Sequence, residues 1–175
     1  MRRDRERRVP STTPAMTTTI EVPAVGALAP DFTLLTDAGA PLTLSALRGR
    51  TVVLFFYPKD DTSSCTVEAC EFRDLLPRFE GMDAVVLGIS PDPVKSHVKF
   101  RDKYELSYPL LADVEHAVAE SYGVWREKQL YGRRYMGVVR STFVIDADGR
   151  VARVFENVKS AGHAQVVAEA VAGLG

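Results

Sequence analysis

Apolar and polar positions change period several times along the chain, and each change marks a predicted element. Residues 51–57 (TVVLFFY) form an unbroken β-branched and aromatic run, the pattern of a central strand buried on both faces. Residues 84–90 (AVVLGIS) repeat it. Between them, Val67, Ala69, Phe72, Leu75, Leu76 and Phe79 recur close to helical spacing and predict a helix over 66–79. Upstream, residues 20–25 are a short apolar lead-in, and 31–36 and 41–45 read as two short strands around the turn DAGA. Downstream, Asp92 followed by Pro93 predicts a capped helix reaching Tyr104. A short strand over 110–112 and a short helix over 116–122 follow. Residues 142–147 and 151–155 read as a hairpin around DADG, and 161–172 as an amphipathic closing helix. This order implies an α/β fold, a central mixed sheet with helices on both faces and an N-terminal β-hairpin extension. It is compatible with a thioredoxin-like core, though periodicity does not separate that from other small α/β sandwiches.

The length of 175 residues fits one domain or one domain plus a tail, with a hydrophobic fraction of 46% and a charged fraction of 26%. A formal net charge of -1 gives no bulk attraction to nucleic acid or an anionic membrane, and no apolar stretch approaches the ~18 residues needed to span a bilayer. Residues 1–19 depart from this pattern. They are charged and then rich in Thr, Ser and Pro, so they are expected to be a disordered tail ahead of a folded domain over 20–175. Arg2, Arg3, Arg5, Arg7 and Arg8 are interrupted by Asp4 and Glu6, which favours a solvated tail, or translation starting at Met16, over a nucleic-acid arm. No apolar core of a secretory signal follows the basic start, and a reducing cytoplasm is the expected location.

The only two cysteines, Cys65 and Cys70, lie where the first buried strand gives way to the helix. Thr62, Ser63 and Ser64 are candidates for the helix cap. A cysteine in a first helical turn faces unpaired N–H groups and the positive end of the helix dipole, which favour thiolate over thiol. An inert packed residue, a metal ligand and a structural disulfide are the competing readings. Metal is disfavoured, because zinc takes four ligands as a rule and His97, His116 and His163 lie in unrelated elements. A static disulfide is disfavoured too. Five helical residues rise about 7.5 Å and leave the side chains about 140° apart, whereas a disulfide needs Cα atoms within about 7 Å. The pair could join only if the intervening turn unwinds, which suits a redox switch better than a staple.

The stretch PKDDTSSC matches Pro-x-x-x-Thr-x-x-Cys, and FYPKDDTSSCTVEACEFRD resembles the peroxiredoxins of the Q subfamily, the bacterioferritin comigratory proteins. APDFTL at 29–34, YGVW at 122–125 and RSTFVID at 140–146 are similar to that subfamily in order and spacing, so the resemblance covers about residues 20–172. It departs at Ser63–Ser64, where members usually carry a glycine before the first cysteine. The resemblance implies a thioredoxin-like fold and a thiol peroxidase needing no cofactor. Cys65 would attack the hydroperoxide, leaving a sulfenic acid. Cys70 would resolve it as an intramolecular disulfide. A thioredoxin or similar dithiol would reduce that disulfide. Thr62 would orient the peroxide, Pro58 would wall the pocket, and Arg140 would stabilise the thiolate and the leaving oxygen. Glu68 is expected to position Arg140. The subfamily also implies a monomer or weak homodimer.

Outside this constellation, Tyr57, Phe55 and Phe72 read as core or pocket wall and Trp125 as packing. The three histidines read as surface or capping residues, and Lys59, Asp60 and Asp61 as a solvated turn. Two other functions are compatible with a close cysteine pair. A protein thiol–disulfide oxidoreductase would call for a Cys-x-x-Cys motif, which is absent. A redox-switched binding or chaperone module would not turn over peroxide.

Overall fold

The computed structural model describes residues 21–174; the expected tail over 1–19 lies outside the described residues. A seven-stranded sheet runs in the order β2-β1-β5-β4-β3-β8-β9. β1 (Thr33–Thr36) and β2 (Pro41–Thr43) form the expected N-terminal hairpin, and β1 also pairs antiparallel with β5 (Leu110–Ala112). β3 (Thr51–Phe56) lies parallel to β4 (Ala84–Ser90), which lies parallel to β5. On its other side β3 pairs antiparallel with β8 (Ser141–Ile145), and β8 with β9 (Val151–Phe155). The sheet is therefore mixed.

The central strand is buried on both faces for the reason its composition gives. Val53, Phe55 and Tyr57 point into one apolar layer with Phe72, Leu76 and Phe79 of α1 (Ser63–Gly81) and Val167 and Val171 of α4 (His163–Ala172). Phe100 of α2 (Val94–Tyr104) joins that layer. Val52, Leu54 and Phe56 point into the opposite layer with Val118 and Ala119 of α3 (Ala117–Ser121), Tyr122 and Phe143. Each such side chain is worth about 1.5–3 kcal/mol on burial. Phe55 and Phe72 stack with ring centroids 4.5 Å apart, fastening α1 to β3. Gly88 on β4 leaves room for that stack, since a Cβ there would meet Phe55 Cζ at 2.8 Å.

Three local expectations are corrected. α1 begins at Ser63 rather than Thr66, and neither it nor α2 has a side-chain cap. The Thr62 hydroxyl instead donates to Lys59 O at 3.0 Å, and Asp92 Oδ2 accepts from Ser90 Oγ and Asp60 N at 2.7 and 2.8 Å, so both side chains are oriented by contacts outside their helices. Segments 31–36 and 41–45 form strands shorter than expected, and Leu44–Leu47 turns into a 3-10 helix. The sequence reading also left out a hairpin: β6 (Trp125–Leu130) and β7 (Arg133–Val138) form a separate two-stranded sheet. Its tight turn places Tyr131 and Gly132 at φ 50° and 76°, the doubly positive pair of a type I′ turn. At its base Trp125 lies flat on His116, with centroids 3.9 Å apart and planes within 1°. Trp125 is therefore a packing residue, as expected.

Candidate active site

β3 runs out at Phe56, and the chain passes through Tyr57 and Pro58 into a short loop before α1. Burial of Tyr57 and of the first turn's Cys65 in one apolar layer fixes the two ends of that loop. Cys65 is 2% exposed. Its Sγ accepts a hydrogen bond from Arg140 Nη2 at 3.1 Å. Arg140 immediately precedes β8, the neighbour of β3, so the sheet register carries it across to the start of α1. Its Nη1 donates to Glu68 Oε1 at 2.7 Å. Cys65 and Glu68 lie three residues apart on one face of α1, and a single guanidinium bridges them.

The electrostatics of this triad are unequal. Burial pushes the Glu68 carboxyl up to about 7, although Arg140 pulls it down. Its Oε2 is buried and has no hydrogen-bond partner among the described residues. For Arg140, burial lowers the pKa, but the charges of Glu68 and Cys65 outweigh it and the net direction is upward. The guanidinium is thus held charged beside the sulfur, while the carboxylate bears the cost of burial.

Cys70 lies further along α1, half-buried, and both cysteines are free thiols. Burial pushes the Cys70 thiol up, with Arg73 opposing. The helix between the two sulfurs is continuous, so the expected separation holds. Pro58 and Arg140 line a cavity of about 370 Å³ together with Val139, Arg126 and Lys128. Thr62 is exposed at the end of the loop. Tyr57 does not line that cavity; it is 1% exposed in the apolar layer.

The Tyr57 hydroxyl leads to a polar cluster that sequence reasoning missed. It donates to Asp60 Oδ1 at 2.6 Å, and Ser96 Oγ donates to Asp60 Oδ2 at 2.8 Å. His97 Nδ1 lies 2.8 Å from Asp60 Oδ2, and His97 Nε2 lies 2.9 Å from Leu111 O. A carbonyl only accepts, so Nε2 carries a proton and donates to Leu111 O. Asp60 is therefore buried, not part of a solvated turn, and His97 is fully buried, not a surface residue. His163 is likewise buried, bonded to Thr142 Oγ1 at 2.7 Å, with burial lowering its pKa to about 4. Asp61 does stay at the surface, at φ 57°, and takes Lys103 Nζ and Tyr104 Oη at 2.8 Å each. A carboxylate that reaches back from a loop to residues some forty positions later leaves no local signal in the sequence.

Among the described residues no three His, Cys, Asp or Glu side chains converge as a metal would require, and no helix is long and apolar enough to cross a membrane. The arrangement provides a buried sulfur with a fixed cation, a cavity lined by that cation and a second thiol further along the same helix.

Residues 25–154 match the AhpC/TSA family. Peroxiredoxin Bcp of Bacillus subtilis is 46% identical over 147 residues, covering 84% of this chain and 92% of its own. Among solved structures, the Xanthomonas campestris bacterioferritin comigratory protein, described with alkyl peroxide reduction activity, is 38% identical with a TM-score of 0.79. It covers 82% of this chain and 91% of its own. Peroxiredoxin Q of Xylella fastidiosa superposes with a TM-score of 0.84 at 34% identity, covering 88% of this chain and 98% of its own.

Proposed function

The chain belongs to the AhpC/TSA family and, within it, to the peroxiredoxins of the Bcp or PrxQ kind, and from that premise we propose a two-cysteine thiol peroxidase mechanism that reduces hydrogen peroxide and organic hydroperoxides. The observation that carries this reading is the Arg140 guanidinium 3.1 Å from Cys65 Sγ. A permanent charge at that distance favours thiolate and the oxyanion that develops as the O–O bond breaks. The Cys65 thiolate attacks the terminal peroxide oxygen. Sulfur is oxidised by two electrons to sulfenic acid, and the other oxygen leaves and takes up a proton as water or alcohol.

Each remaining site residue has a part in this step. Glu68 positions Arg140 through the 2.7 Å bond. The Thr62 hydroxyl gives its proton to Lys59 O and so keeps lone pairs to accept from the peroxide O–H. Pro58 walls the cavity beside Arg140. Tyr57 acts at one remove, by holding Asp60 and the loop.

Cys70, raised by burial, stays a thiol while Cys65 reacts. The first turn of α1 then unwinds and the Cys70 sulfur attacks the sulfenic sulfur, which releases water and forms the Cys65–Cys70 disulfide. Both cysteines come from one chain, so a monomer suffices. A thioredoxin-like dithiol reduces the disulfide by exchange, which a reducing cytoplasm would sustain.

The test is stoichiometric peroxide added to reduced protein, followed by intact mass and peptide mapping. The expected result is a loss of about two mass units with Cys65 linked to Cys70. A gain of about sixteen confined to Cys65 would remove the resolving role of Cys70. No reaction at either cysteine would overturn the peroxidase reading.

A further inference from the structure

The cavity lined by Arg140, the cation that contacts Cys65, carries more positive charge than the proposed peroxide reduction uses. Arg140 is committed to Cys65 and Glu68. Arg126 is committed too, donating to Glu156 Oε1 at 2.7 Å and to Gly123 O at 2.8 Å. Lys128 is different. It lines the same cavity, yet among the described residues its ammonium has neither an ion pair nor a hydrogen bond.

The hairpin aims it there. Arg126 pairs with Gly137 and Lys128 with Tyr135, so the two cations stand on one face of the two-stranded sheet. Gly137 has no side chain, and a Cβ built there would lie 3.4 Å from both Lys128 Cδ and the Tyr135 ring. The lysine stem therefore leans across Gly137 toward the hairpin base, where Val139 and Arg140 follow. Its half-burial and the nearby Arg140 charge both disfavour its charged form, with Cys65 opposing. An anion in the cavity would relieve both. Its volume of about 370 Å³ suits a small molecule.

We propose that Lys128 is a specificity-determining residue that binds the carboxylate of a compact, carboxylate-bearing alkyl hydroperoxide while its O–O group faces Cys65. This rests on the peroxidase reading above and adds the substrate class. The chemical step is unchanged. Thiolate attacks the terminal oxygen, the alkoxide leaves and takes up a proton, and the carboxylate remains bound to the ammonium.

The test compares tert-butyl hydroperoxide with its analogue in which one methyl hydrogen is replaced by carboxylate, at low salt, in wild-type protein, Lys128→Met and Lys128→Arg. The wild type is expected to favour the carboxylate peroxide in kcat/KM by about tenfold, the size of one charge-assisted contact. Lys128→Met removes that preference, Lys128→Arg restores most of it, and added salt weakens it in the wild type. Equal rates for the two peroxides in the wild type would overturn the proposal, and so would a preference that survives in Lys128→Met. Both outcomes leave the peroxidase reading standing, because tert-butyl hydroperoxide is still consumed. Consumption of neither peroxide would overturn the two together.

Discussion

Two segments meet at Thr62 and are built on opposite principles. On one side, Asp60 and Asp61 bolt the loop to the end of β3 through Tyr57, to the turn before α2 through Asp92, and to α2 through Ser96, His97, Lys103 and Tyr104. On the other, α1 starts with no side-chain cap, no acidic residue in its first turn, and Ser63 and Ser64 exposed. Its start is held from the buried face, by Arg140 on Cys65 Sγ and Glu68 Oε1, and further along Tyr108 Oη donates to Ala69 O at 2.6 Å. The proposed reaction needs Cys65 fixed for attack and then released toward Cys70. The difference between the two sides would confine that release to a short stretch, between the bolted loop and the Tyr108 contact, with Thr62 and Pro58 left in place.

The largest effect is expected from breaking the bolted side. Asp60→Ala leaves His97, Tyr57 and Ser96 without their shared partner in a buried site, at a cost of about 3–5 kcal/mol in denaturant unfolding. A loss below about 1 kcal/mol would mean that the loop is held by something else.

Glu68 gives the next effect, through pH. Its carboxyl titrates at about 7 in the folded protein against a reference of 4.5, raised chiefly by burial. Between those values the folded state holds a proton that the unfolded chain has released. Stability therefore falls as pH rises through that window, by about 3 kcal/mol in total, and levels off above it. Glu68→Gln should flatten that decline in melts run from pH 4.5 to 8, and an unchanged slope would reassign it.

Two smaller changes act on the releasing side. Tyr108→Phe removes the hydroxyl that holds Ala69 O and should weaken the fold by about 1 kcal/mol while speeding disulfide formation about fivefold in single turnover. Ser64→Gly puts the most flexible residue in an exposed first turn, costs that turn about 0.5–1 kcal/mol and should speed the same step about two- to fivefold. If neither variant changes the rate, unwinding of α1 does not limit resolution.

What the sequence discloses follows from how local each interaction is. The bounds of β4 and β5 coincide with their apolar runs, because burial on both faces leaves an uninterrupted signal. Cys65, Cys70, Pro58 and Arg140 stood out because each lies in a short motif shared with the family, and the fold brings Arg140 onto Cys65 and beside Pro58. The β6–β7 hairpin was not. It alternates charge rather than apolar character, and its type I′ turn carries Tyr131, where Asn, Asp or Gly would be the usual sign. Lys128 went unread with it. Asp60 and His97, 37 residues apart, form a pair that only the folded sheet creates. Thr62 and Asp92 carry good capping chemistry, but their side chains are oriented by Lys59 O and by Ser90 Oγ and Asp60 N, which composition alone does not reveal.

The flat stack of Trp125 on His116 equips the chain with a reporter of its own. Trp125 is the single tryptophan, at the base of the hairpin that carries Lys128 into the cavity. Its emission depends on the imidazole 3.9 Å away, and any occupant that pulls β6 toward Cys65 will disturb that contact. An occupant that moved β6 would therefore report itself as a fluorescence change in the unlabelled protein, apart from the thiol chemistry.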